Sequence, residues 1–386
     1  MSAPHIMIVA GETSGDLLGA DLIDAVRALY PDAAFSGVGG PAMIRAGFSS
    51  LFDISEIAIM GLGPILANLR RLFGLVDLTA AHACDTRPDI VVLIDSPEFN
   101  HRVAARIKKR YPDICVICYV APSVWAWRRG RARKMAQHFD AVLSLFPFES
   151  HIFRALSGPP CHFVGHPIVD RFQSYAPGAD FRVKYNIPGE ERLLCVLPGS
   201  RMSEIRKLAP VFEQTIARVA REIENLSVVV PVVPHTREAV RARVAGWPIQ
   251  PILVEDESEK IAAFSAANAA LAASGTATLE LGMAGLPSVV AYKMGGMMGA
   301  LLMRVLRVPS AVIVNLVLDA PVMQEFLEDR CTADLITPAV NALLQDDALN
   351  SEKRAQLSPL ADVLGGAGQS PATRAAEIIR SLIQQA

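Results

Sequence analysis

The chain has 386 residues, a formal net charge of −2, 51% hydrophobic and 20% charged residues, and a mean hydropathy of +0.31. That length exceeds one ordinary core and suits two domains of roughly 150–200 residues each. The near-neutral balance excludes a global field favouring nucleic acid, no stretch reaches the about 18 consecutive apolar residues of a membrane span, and so apolar a composition predicts exposed apolar surface.

Short β-branched runs alternate with helical patterns throughout, which predicts βαβ units and parallel sheets. Strands are expected at 6–9, 34–38, 90–94, 114–120, 141–145 and 162–164. A second series follows at 193–197, 227–233, 251–254, 269–273 and 288–292. The first ten residues carry no basic region and run straight into the first strand, so they do not read as a signal peptide, and a cytoplasmic location is expected.

After the first strand comes Gly-Glu-Thr-Ser-Gly-Asp at 11–16. Its glycine spacing is not that of a dinucleotide fingerprint. The second predicted strand also ends in Gly-Val-Gly-Gly at 37–40 rather than in an acid. The loop is therefore expected to line a cleft or bind an acceptor, through Glu12, Ser14, Gly15 and Asp16. From 62 to 76 the apolar residues Leu62, Ile65, Leu66, Leu69, Leu72, Phe73 and Val76 form one helical stripe, with Arg70 and Arg71 off it.

Asp95 ends the apolar strand 90–94 and opens Asp-Ser-Pro-Glu-Phe-Asn at 95–100. Ligands of open α/β sheets bind at that edge, so Asp95 is a candidate general base. A turn-capping role for Asp95, and Glu98 as a rival base, both remain open. Cys115 and Cys118 lie in an apolar strand and read as buried thiols, not as a redox or zinc pair. Trp125 and Trp127 precede Arg128, Arg129, Arg131, Arg133 and Lys134. This cluster suits a phosphorylated substrate or anionic headgroups, or else a solvated helix face. His162 and His166 are expected to be loop residues, with no metal between them.

Turn formers between about 169 and 190 mark the domain boundary. The second half opens like the first: strand, glycine turn, helix. In Leu-Pro-Gly-Ser-Arg at 197–201, Gly199 lets backbone approach, Ser200 donates, and Arg201 supplies a bidentate charge suited to a diphosphate. The strand 269–273 leads into Ser274, Gly275, Thr276, Ala277 and Thr278, a second phosphate-competent turn. Glu280 lies about one helical turn further, within reach of ribose hydroxyls. Plain helix capping would give the same pattern. A Met-rich, basic-tipped run spans 294–307; it and the stripe at 62–76 each read alone as core, but as a pair in so apolar a chain at least one is expected to face acyl chains or a membrane surface. No Asp-x-Asp occurs at these turns, so no metal or other cofactor is expected. The leaving diphosphate is then met by Arg201 and helix starts.

These motifs, in this order, resemble the lipid-A-disaccharide synthase family. The matching runs lie at 11–16, 37–43, 95–100, 122–127, 147–149, 163–167, 197–201 and 274–280. The resemblance implies the GT-B type of α/β fold: two facing Rossmann-like doubly wound domains with a cleft between them. Domain one would span 1–172, with the last helix, 369–386, returning to it; domain two would span 190–365. It implies transfer of diacylglucosamine from UDP to diacylglucosamine 1-phosphate, giving a β-1,6 disaccharide with inversion at the anomeric carbon. Carried over, Asp95 is the base, and Ser200, Arg201, 274–278 and Glu280 hold UDP. Glu12 and its loop, with Asn100, face the acceptor. Asn315 and Gln324 match positions near the nucleotide, although the family's Leu-Pro-Asn reads Ile-Val-Asn here at 313–315. The implied location is peripheral, on the inner face of the bacterial inner membrane, without a nucleic-acid partner. The rival readings are a UDP-sugar 2-epimerase of the same fold, a non-catalytic nucleotide- or lipid-binding protein and, weakest, a dehydrogenase.

Overall fold

A computed structural model describes residues 3–57, 69–173, 179–294 and 309–385. The chain forms two compact units, one of residues 1–167 with 364–386, the other of residues 168–363.

The first unit holds strands β1 (His5–Ala10), β2 (Ala34–Val38), β3 (Ile90–Ile94), β4 (Cys115–Tyr119), β5 (Ala141–Ser144) and β6 (Cys161–Phe163). All pair in parallel, in the order β2-β1-β3-β4-β5-β6. β1 and β3 are almost wholly apolar and buried, as strands covered by helices on both faces must be. The last helix, Pro371–Gln385, packs on helix Thr13–Leu29. It buries Ala375, Ala376 and Ile379. Arg374 fastens it by donating to the Val164 carbonyl at 2.6 Å and the Gly365 carbonyl at 2.8 Å.

The second unit holds β7 (Arg192–Leu197), β8 (Leu226–Pro231), β9 (Ile252–Val254), β10 (Ala269–Ala273), β11 (Ser288–Tyr292) and β12 (Gln324–Leu327). Their order, β12-β11-β10-β7-β8-β9, is again parallel throughout. Numbered from β7 and read from β9, it is 3-2-1-4-5-6, the doubly wound order of nucleotide-binding sheets. Sequence reading missed β12. It is a four-residue edge strand with one fully buried side chain, so it carries neither a long apolar run nor a clear alternation.

In both units, the chain reverses direction across the sheet beside the unit's first strand, so the loops leaving two neighbouring strands diverge there and leave a crevice. In the first unit this crevice lies between β1 and β3. In the second it lies between β7 and β10. The boundary departs from expectation, because the first unit ends at Pro167 and helix Ile168–Gln173 belongs to the second. Leu62, Ile65 and Leu66 of the expected stripe, residues 295–307 of the Met-rich run and much of the 174–179 linker lie outside the described residues. No helix among the described residues is long and apolar enough to cross a membrane.

Candidate active site

In the first unit the loops after β1 and β3 touch. A Cβ built on Gly11 would stand 2.2 Å from the Ser96 Cβ, so only glycine permits this approach. Asp95 and Ser96 are both left-handed, at φ 53° and 43°, an uncommon and costly conformation outside glycine. Asn100 holds them there. Fully buried, it donates to the carbonyls of Ile94 at 3.1 Å and Asp95 at 2.6 Å. The half-buried Asp95 carboxylate accepts the Ser96 N–H at 2.9 Å and a longer 3.4 Å bond from the Ser14 hydroxyl. Glu12, exposed, starts helix Thr13–Leu29, and Gly15 packs that helix against Ile94 and Ala10.

Asp16, expected with Glu12 and Ser14 to face an acceptor, is turned inward, whereas those two are exposed. Its carboxylate is buried and accepts backbone N–H bonds from Gly40 at 2.7 Å, Ala42 at 2.8 Å and Met43 at 3.1 Å, capping helix Pro41–Arg45. Asp16→Ala would strand these donors in the interior and is expected to cost about 2–4 kcal/mol. A thermal melt checks this, and an unchanged midpoint refutes it. Glu98 is exposed and ion-paired with Arg128, Arg131 and Arg102. Desolvation raises its pKa, but the three guanidinium groups outweigh that and hold the carboxyl below its usual range, which makes it a poor proton acceptor.

Glu149 lies after β5 and is almost fully buried. It accepts the Trp125 indole N–H and the Phe146 backbone N–H, both at 3.1 Å, tying the loops after β4 and β5 together. Burial pushes its pKa up to about 8 against these stabilising bonds. The folded state therefore keeps a proton that the unfolded chain releases at its ordinary pKa of about 4.5. Stability should fall as pH rises between these values, at up to about 1.4 kcal/mol per unit, and level off above pH 8. Melting wild type and Glu149→Gln from pH 5 to 9 tests this, since the variant should lack that slope.

In the second unit the loop after β7 turns at Gly199, φ 120°. The amides of Ser200 and Arg201, expected to face an anion, instead donate to Glu204 Oε2 at 3.1 and 3.2 Å. Sequence reading passed over Glu204, although a Glu at the third helical position is the capping-box signal. Arg201 also pairs with Glu204 at 3.0 Å yet stays largely exposed. After β10, Ser274 donates to the Ala311 carbonyl at 3.0 Å, Gly275 and Thr276 are exposed, and Ala277 begins helix Ala277–Met283. The fully buried Thr278 bonds the Gly275 carbonyl at 2.8 Å and shapes the turn from inside. Glu280 pairs with Lys260 at 3.1 Å. Burial lowers the Lys260 pKa, but Glu280 and Glu257 offset it and hold the ammonium above its ordinary value.

Two expected nucleotide residues are placed otherwise. Asn315 is buried and spends its amide on both backbone groups of Met323, at 2.8 Å each, so it is a structural clamp. Gln324 is the first residue of β12, toward the amino end of a sheet whose ligand loops leave the carboxyl end. At the carboxyl end the residue following β12 is Glu328, which accepts the Met294 N–H at 2.7 Å. No group of three or more metal-competent side chains occurs among the described residues, and all six cysteines are free, with burial pushing Cys115 up to about 11.

Residues 6–378 match the family model described as lipid-A-disaccharide synthetase. The chain belongs to the lipid-A-disaccharide synthase family. It is 40% identical to the lipid-A-disaccharide synthase of Rhodopseudomonas palustris strain HaA2, over 99% of this chain and 97% of that one. It is 42% identical to that of Ruegeria pomeroyi, over 97% and 94%. In fold, this family member resembles the UDP-GlcNAc 2-epimerase of Neisseria meningitidis (TM-score 0.63, 12% identity, 99% and 100% coverage). It also resembles the calicheamicin glycosyltransferase CalG4 (TM-score 0.62, 16% identity, 100% and 99% coverage). The lipid-A-disaccharide synthase fold is thus the α/β, two-domain GT-B type.

Proposed function

We propose that this chain joins UDP-2,3-diacylglucosamine to 2,3-diacylglucosamine 1-phosphate, releasing UDP and forming the β-1,6 disaccharide. Near-full-length similarity to lipid-A-disaccharide synthases supports the glycosyl transfer. The observation that supports the mechanism is Asp95, an available carboxylate at the β1/β3 crevice, oriented by Ser96 and Ser14. Asp95 takes the proton of the acceptor 6-hydroxyl as its oxygen bonds to the anomeric carbon. The bond from that carbon to the diphosphate breaks, and its electron pair leaves on UDP. One displacement inverts the centre and needs no covalent nucleophile.

In the second domain Arg201, with the Ser200 hydroxyl and the turn at 274–278 whose Gly275 and Thr276 are exposed, is assigned to the diphosphate, and Glu280 to the ribose. The acylated substrates place the chain at a membrane surface on its cytoplasmic side, bound peripherally.

Purified protein with both substrates in detergent should release UDP and form disaccharide without added divalent metal. Soluble UDP-N-acetylglucosamine alone should not epimerise. Epimerisation without disaccharide would replace this reading with the 2-epimerase.

A further inference from the structure

The acceptor reading leaves one group without a partner, the phosphomonoester on its sugar, and the first unit carries a surface whose chemistry matches it. Three guanidinium groups converge on the single exposed carboxylate of Glu98. Arg128 lies 3.2 Å from Oε1, Arg131 bonds the same oxygen, and Arg102 lies 3.7 Å from Oε2. One carboxylate leaves this cluster with a net positive charge. Arg131 is mostly buried, whereas Arg128 and Arg102 are about half exposed and reachable from solvent.

Glu98 is three residues beyond Asp95, in the first turn of helix Pro97–Arg110, and Arg128 and Arg131 come from the segment after β4, the strand next to β3. The cluster thus shares the sheet edge of the proposed base. Arg128 adopts φ 50°, a strained setting for a non-glycine residue, and its guanidinium lies 4.4 Å from the exposed Trp127 ring.

On the other side, Arg102 and Arg106 lie over the exposed ring of Phe73, at 5.7 and 5.8 Å from its centroid. Phe73 belongs to helix Leu69–Thr86, which packs along helix Pro97–Arg110. One continuous strip therefore runs from apolar Phe73 across Arg102 and Glu98 to Arg128, Arg131 and Trp127. Its two halves match an acylated sugar with a phosphate at one end. A tetrahedral dianion accepts from several guanidinium forks at once, where a carboxylate offers two oxygens.

We propose that Arg102, Arg128 and Arg131 form the subsite for the acceptor's phosphate, with Glu98 as the resident counter-ion that the phosphate displaces. This rests on the acceptor reading above. The test measures binding and turnover in detergent micelles with diacylglucosamine 1-phosphate and with the same lipid lacking phosphate.

Wild type should bind the phosphorylated form more tightly by about 10- to 100-fold. Arg128→Ala and the conservative Arg131→Lys should each erase most of that preference while leaving affinity for the phosphate-free lipid within about twofold. Glu98→Gln, which frees the arginines, should tighten binding of the phosphorylated lipid several-fold. A purely structural role for these ion pairs predicts equal losses with both lipids, and that outcome overturns the subsite, as does weaker phosphate binding by Glu98→Gln. Pelleting with phosphatidylglycerol vesicles supplies the second arm. Loss of pelleting in Arg128→Ala, with the lipid preference intact, would reassign the cluster to membrane headgroups and overturn the proposal. Should wild type show the preference yet release no UDP, the transferase reading fails while the subsite stands.

Discussion

Asp95→Asn is expected to lower kcat by about 100- to 10,000-fold, the usual contribution of a positioned general base. Asparagine is the sharpest probe here. It tolerates the left-handed backbone that Asp95 adopts at φ 53°. Its carbonyl oxygen can still accept the Ser96 N–H, and its amide can still meet the Ser14 hydroxyl. Only the ability to take a proton is removed, so the melting midpoint should move by no more than about 2 °C, less than about 1 kcal/mol implies for domains of this size. Asp95→Ala should be as inactive and somewhat less stable, because alanine is strained at positive φ.

Two neighbouring carboxylates are engaged elsewhere in the free protein, Asp16 by three backbone N–H groups and Glu98 by three arginines. Initial rates of UDP release at saturating substrates decide it. An Asn variant that turns over like wild type removes Asp95 from its assigned role.

Gly199→Ala is expected to raise the Kd for UDP by about 30-fold or more and to lower stability by about 2–4 kcal/mol, within the range of strained-backbone and overpacking substitutions. The new Cβ would meet the Glu204 Cβ at 2.6 Å and its Oε2 at 2.8 Å, on a backbone at φ 120° that side chains rarely adopt. Since the first of these atoms is next to the helix backbone, the start of helix Met202–Glu222 must shift, and Arg201 with it. Gly275→Ala is the contrast. Nothing lies within 4 Å of its built Cβ, so the free protein should melt unchanged. Calorimetric titration with UDP, paired with melting curves, separates the two sites. Wild-type affinity in a folded Gly199→Ala protein would remove the loop after β7 from the nucleotide site.

The strand–helix alternation was legible because buried parallel strands must be apolar on both faces, and such runs as Ile90–Ile94 and Ala269–Ala273 stand out in any window. The four residues of β12, two of them polar, did not. Loop chemistry was legible in part. Glycines at 11 and 199 and an acid at a strand's carboxyl end mark turns that a ligand can approach, and the motifs spelling them out carry the family resemblance.

Asp16, Asn315 and Thr278 are as polar in sequence as Ser14, Ser274 and Thr276, and all but Asn315 lie in a glycine-containing turn. Only the fold turned the first three inward, onto the backbone of Gly40–Met43, Met323 and Gly275. Glu98 and Glu149 make the same point about charge. Nothing local distinguishes a carboxylate ringed by arginines from one buried against an indole with its pKa near 8. Local periodicity and turn chemistry are encoded by neighbours in the chain, so they could be read directly. The partner of a buried polar group comes from residues tens of positions away, and desolvation, which sets its charge, exists only once the chain has packed.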